Sequence, residues 1–185
     1  MVDQTEDYAE NLLSVEEEDA IIIGKTNTPE FGRYPRTRSL VGGETLNPWN
    51  AERISGASSG GSAAAVAAGI TGLSIASDGG GSTRIPASFN GVFGLQPSAG
   101  RIPMRAPKKV VMSSTGPVTQ FVEDAALIMS VIGGPDPRDP SAIEQTNPDF
   151  QGLLSKGIKG ARIAWTPNFG GIPIIDSRVV DATAK

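Results

Sequence analysis

Two clusters of serine and glycine mark where this chain could do chemistry. They are Gly56-Ala57-Ser58-Ser59-Gly60-Gly61-Ser62 and Asp78-Gly79-Gly80-Gly81-Ser82-Thr83-Arg84. A serine hydroxyl becomes a useful nucleophile only when a neighbouring base takes its proton. Glycines let backbone N–H groups approach a ligand closely, so the row from Gly79 to Ser82 could aim several donors at one oxyanion. Gly56 to Gly60 also satisfies G-x-S-x-G, but a nucleophile elbow needs a histidine to accept the serine proton. The chain contains no histidine, which removes that reading. A phosphate cradle fails as well, because Gly24-Lys25-Thr26 has no glycine loop before it. The glycine row likewise lacks the third glycine and the later acid of a dinucleotide site.

The elements around these clusters follow from composition. The alanine-rich run 63–68 predicts a helix, with Ser58 or Ser59 as its N-cap and Gly69 as its stop. Residues 73–77 alternate apolar and small side chains and predict a strand that delivers the chain into the glycine row. Pro86 opens a short helix through Asn90, and residues 92–95 predict a second buried strand. Residues 20–23 and 161–165 are short apolar runs that predict two more strands. Residues 123–132 predict an amphipathic helix with two acids at its positive end, and Asp176-Ser177 predicts the start of another. Residues 33–54 read as surface loop with little regular structure, residues 97–116 as a loop bordering a pocket, and residues 134–150 as a loop. Strands alternating with helices place the fold in the α/β class, as a mixed sheet flanked by helices.

Composition narrows the function classes. A chain of 185 residues is long enough for one domain with a core. The formal net charge of −4 gives no electrostatic case for nucleic acid. Residues 1–19 hold eight acids and no Lys or Arg, leaving twelve acids against sixteen basic residues elsewhere. That start reads as a solvated acidic segment, followed by a single domain over 20–185. The absence of cysteine and histidine leaves no disulfide, no thiolate or imidazole metal ligand, and no sign of secretion. No apolar run reaches the ~20 residues of a membrane helix. The expectation is a soluble cytoplasmic protein that uses neither metal nor cofactor and has no membrane or nucleic-acid partner.

The two clusters, at their fixed spacing, resemble the signature of the amidase-signature hydrolases. The likeness continues through GKTNTPEFG (24–32), NPWN (47–50), GVFGLQPSAGRIP (91–103), GPV (116–118), EDAA (123–126) and GPDPRDP (134–140). It covers the chain from about residue 20 to about residue 169, the central portion of such a fold.

The resemblance implies a Ser–Ser–Lys mechanism acting on a small-molecule amide, and on activated esters. Ser82 matches the acyl-accepting nucleophile. Ser58, held next to a cis peptide bond in that family, matches the serine that relays protons to a lysine. The N–H groups of Gly79, Gly80, Gly81 and Ser82 match the oxyanion hole, while Asp78 and Arg84 match structural positions. The family's lysine lies upstream of GKTN, and residues 1–19 contain none, so no catalytic lysine is identified. Lys25 matches the GKTN lysine, and Lys108 and Lys109 fall in the predicted pocket loop. The alternative expectation is therefore an inactive fragment without its base. Smaller departures are Ala57 in place of glycine, Gln96 in place of lysine and Gln120 in place of arginine.

Overall fold

The structure, a computed structural model, describes residues 21–104, 112–172 and 176–184. The acidic segment 1–19, Lys108 and Lys109 lie outside the described residues. The chain divides into two compact units, one ending at Ser155 and one beginning at Lys156.

The first unit is organised on a three-stranded sheet. Its strands are β5 (Leu73–Asp78), β6 (Phe93–Gly94) and β7 (Ser114–Thr119), in the order β5-β7-β6. β7 lies between the other two and runs antiparallel to both, so β5 and β6 share one direction. Side chains of a strand alternate between faces, and β5 uses both. Ala76 joins Ala63 and Val66 of α1 (Gly60–Ala67) and Val118 of β7 in one buried cluster. Leu73 and Ile75 pack instead against Ile128, Met129 and Ile132 of α3 (Val122–Ile132), together with Ile102. Helices thus cover both faces of the sheet, which is the α/β arrangement the sequence predicts.

The connection from β5 to β6 passes through α2 (Arg84–Asn90). Beyond α3, Asp149 caps the short α4 (Phe150–Leu154) by accepting the Gly152 N–H at 2.9 Å. In the second unit, Asp176 caps α5 (Ser177–Thr183) by accepting the Arg178 N–H at 2.9 Å. Among the described residues no helix is long and apolar enough to cross a membrane.

Four expectations are corrected. The loop expected over 97–116 ends early, because Ser114–Thr119 form the buried central strand β7. Their Ser, Thr, Gly and Pro composition reads as turn, yet Gly116 is required because a Cβ there would collide with the Leu95 carbonyl. Pro117 keeps its place by accepting the Leu95 N–H at 3.0 Å. Residues 33–54 are more ordered than expected and form two short hairpins. One pairs β1 (Arg38–Ser39) with β2 (Gly43–Glu44), and the other pairs β3 (Leu46–Asn47) with β4 (Asn50–Ile54). Residues 21–23 form no strand, and their isoleucines are exposed. Residues 161–165 form none either, and Ile163 and Trp165 are exposed. An apolar β-branched run becomes a strand only where a neighbouring edge offers hydrogen bonds and burial, and neither run has such an edge among the described residues.

Candidate active site

The two serine clusters meet at the end of β5. Ser59 is the N-cap residue of α1, but its hydroxyl makes no capping bond. It donates to the Ser77 carbonyl and accepts the Ser77 N–H, both at 3.3 Å. The start of α1 is thereby fastened sideways to β5. One step further on, the Ser59 N–H donates to the Ser82 carbonyl at 3.2 Å. The peptide unit between Ser58 and Ser59 is thus bonded directly to the residue ending the glycine row. Ser58 and Ser82 are both half-buried. No hydrogen bond joins their hydroxyls to each other; what connects the clusters is main chain.

The turn that carries Ser58 is built from close approaches. Gly56 adopts φ +78° and packs on Pro86, where a Cβ would sit 3.0 Å from the Pro86 Cα. The peptide bond between Ala57 and Ser58 is cis. Thr37, fully buried, holds the turn from outside. Its hydroxyl donates to the Gly56 carbonyl at 2.8 Å and accepts the Gly60 N–H at 3.2 Å. A Cβ on Gly60 would collide with that hydroxyl. Asn27 and Thr26 tie the preceding segment to the same region. Asn27 bonds Thr45 at 3.0 Å, and Thr26 bonds the hydroxyl of Ser62 at 2.9 Å.

The glycine row is shaped by Asp78, which is wholly buried at the end of β5. One carboxylate oxygen accepts the Gly81 N–H at 2.5 Å and the Arg84 Nη2 at 3.0 Å. The other accepts the N–H groups of Thr83 at 3.2 Å and Arg84 at 3.4 Å, and the Arg84 Nε at 2.9 Å. Burial by itself pushes this carboxyl's pKa up. The Arg84 guanidinium and the three backbone donors outweigh it and hold the pKa at about 2. Asp78 therefore stays charged, curls the row back on itself and serves the first N–H groups of α2.

This geometry sorts the expected oxyanion donors. The Gly81 N–H is spent on Asp78, so the expectation that Gly81 contributes a donor does not fit. The N–H groups of Gly79, Gly80 and Ser82 make no hydrogen bond to a described residue. Gly79 and Gly80 are exposed, and a Cβ on Gly80 would meet nothing within 4 Å. That face of the row is open.

Two supporting residues escape a reading of the sequence. Thr37 stands in an arginine-rich stretch that looks like surface loop. Asn90 ends the predicted short helix with nothing in the sequence to mark it as supporting the site, yet it is fully buried. Its side-chain amide donates to the carbonyls of Ser55 and Pro86, both at 2.8 Å, and its backbone carbonyl accepts the Trp49 indole N–H at 2.7 Å. It locks the end of α2 to the segment leading into the Ser58 turn. Among the described residues no group of three or more His, Cys, Asp or Glu is placed to hold a metal ion.

Comparisons with known proteins agree with this architecture. The family model described as Amidase matches residues 6–184. The chain is 43% identical over 152 residues to an acylamidase of Rhodococcus erythropolis, covering 81% of this chain and 32% of that protein. It is 44% identical over 147 residues to a glutamyl-tRNA(Gln) amidotransferase component of Lactobacillus delbrueckii, covering 78% and 31% respectively. The crystal structure of a bacterial aryl acylamidase of the amidase signature family superposes with a TM-score of 0.84 at 38% identity, covering 92% of this chain and 35% of that one. The chain thus spans about a third of the length of the relatives it matches.

Proposed function

Since the chain belongs to the amidase family, we propose that it carries the acyl-transfer centre of an amide hydrolase, with Ser82 as nucleophile. Ser82 Oγ attacks the carbonyl carbon of a carboxylic amide, and its proton passes through the Ser58 hydroxyl to a lysine base. No described lysine is assigned that role. The oxyanion of the tetrahedral intermediate is met by the N–H groups of Gly79, Gly80 and Ser82. A backbone donor of this kind is worth about 10²–10³ in rate. As the C–N bond breaks, the proton returns along the same path to the departing amine. The acyl group is left on Ser82, and water attacking the ester releases the carboxylate. Asp78 and Arg84 hold the turn and take no part in proton transfer. Neither metal nor cofactor enters this scheme.

The observation that supports the reading is the main-chain bond from Ser59, the residue after Ser58, to the Ser82 carbonyl, at the end of a glycine row with open N–H donors. The acylamidase relatives support an amide as substrate. Activated esters belong to the same reading, because a phenolate leaves without needing a returned proton. The test compares kcat/KM for a p-nitrophenyl ester and the matching p-nitroanilide. Hydrolysis of both that disappears in Ser82→Ala is expected. Hydrolysis that survives that substitution would contradict the assignment.

A further inference from the structure

We infer that Gln96 is a positioning residue for the oxyanion site, acting through the peptide unit between Asp78 and Gly79. This rests on the acyl-transfer reading above.

Gln96 follows β6, where the bond from Leu95 to Pro117 fixes the backbone. Its Nε2 donates to the Asp78 carbonyl at 3.3 Å and to the Met112 carbonyl at 3.2 Å. Both partners are carbonyls, so only the NH₂ side of the amide can serve them, and its two hydrogens match two acceptors. The Asp78 carbonyl belongs to the same planar peptide unit as the Gly79 N–H. A peptide plane moves as one body, so anchoring the oxygen sets the direction of that donor. A hydrogen bond accepted at the oxygen also polarises the unit and strengthens the N–H as a donor.

The row needs such a brace on this side. Asp78 holds it through Gly81, Thr83 and Arg84, all beyond Gly80. Nothing else among the described residues bonds Gly79 or Gly80. Gln96 anchors the near end, and its second bond draws residues 112 and 113 to the same place. A Cβ on Gly79 would lie 3.9 Å from the Ser113 hydroxyl oxygen. The Asp78 carbonyl also lies at the end of β5, paired with Ser114 of β7, so Gln96 adds a side-chain bond that fixes the orientation of the Gly79 peptide where the sheet ends. The residue touches neither serine, so its loss should lower kcat and leave KM nearly unchanged. One neutral hydrogen bond is worth about 1 kcal/mol net, or roughly fivefold in rate.

The test uses Gln96→Ala and Gln96→Lys, the lysine keeping donors while losing the amide's shape. Two readouts are taken: the ¹⁵N shift of the Gly79 amide, which senses a bond to the preceding carbonyl, and p-nitrophenyl ester kinetics. The expected result is a moved Gly79 resonance and a roughly fivefold lower kcat in Gln96→Ala, with both recovered in Gln96→Lys. An unmoved resonance in folded Gln96→Ala overturns the brace. A moved resonance with unchanged kcat overturns its part in catalysis. Absence of Ser82-dependent hydrolysis in the unsubstituted protein overturns the enzymatic reading instead, and is told apart because it appears before any change at Gln96.

Discussion

The Ser59 N–H donates to the Ser82 carbonyl at 3.2 Å, so the peptide that follows Ser58 is bonded to the residue proposed as nucleophile. The two residues are thereby linked through main chain, and neither hydroxyl takes part in that link. Ser58→Ala should leave the fold intact, changing unfolding free energy by less than about 0.5 kcal/mol. Ester hydrolysis should nevertheless fall by about 10²-fold or more, the range of general acid–base help. Urea unfolding and initial-rate kinetics on one preparation check both halves.

Asp78 gives a dependence of stability on pH. Its carboxyl titrates at about 2 in the folded chain against an ordinary 3.8, so the unfolded state binds the proton more readily. Stability from this group is fully present above pH 4 and is lost as pH falls through the folded value. The shift corresponds to about 2 kcal/mol. Asp78→Asn should lose about that much stability at neutral pH and show a flatter stability profile between pH 4 and 2. Arg84→Gln should cost less, because half of the Arg84 side chain is solvent-exposed. A profile for Asp78→Asn that parallels the parent would show that another carboxylate dominates in this range.

Thr37 should matter out of proportion to its position in an apparent surface loop. Thr37→Val keeps the shape but leaves the buried Gly60 N–H without its acceptor and the Gly56 carbonyl with only the 3.5 Å bond from the Ser55 hydroxyl. An unsatisfied buried group costs about 1–3 kcal/mol. The loss should appear in the urea midpoint, together with slower reaction at Ser82, because the Ser58 turn is held by the two Thr37 bonds. Unchanged stability would mean that the turn is supported elsewhere.

The sequence is legible where a residue's local chemistry and its place in the fold agree. The alanine-rich run 63–68 lies in or at the end of α1, and the alternating residues 73–77 fall in β5. Of the apolar positions of 123–132, Ala125, Ala126, Ile128, Met129 and Ile132 form the buried face of α3, while Leu127 is exposed. It is not legible where tertiary packing overrides local preference. Gly116 and Pro117 look like turn residues, yet they occupy the centre of the sheet because the Leu95 backbone passes too close for any side chain at 116. The isoleucines at 21–23 look like a strand but have no edge to pair with among the described residues. In the site, residue types point to the glycine row, but no spacing rule says that Asp78 takes the Gly81 N–H. That assignment needs the positions of both atoms. Thr37 and Asn90 are invisible for the same reason: a Thr or Asn gives no sign of burial until its partners 19 or 35 residues away are in place.

The most direct measurement is labelling with a fluorophosphonate, followed by mapping of the modified residue. The reagent reports which hydroxyl is activated, whatever the natural substrate. The account predicts a single phosphonylated residue, Ser82, with labelling abolished in Ser82→Ala and slowed in Ser58→Ala without moving to another position. A label found on Ser58 or Ser113, or undiminished labelling of a folded Ser82→Ala protein, would contradict it.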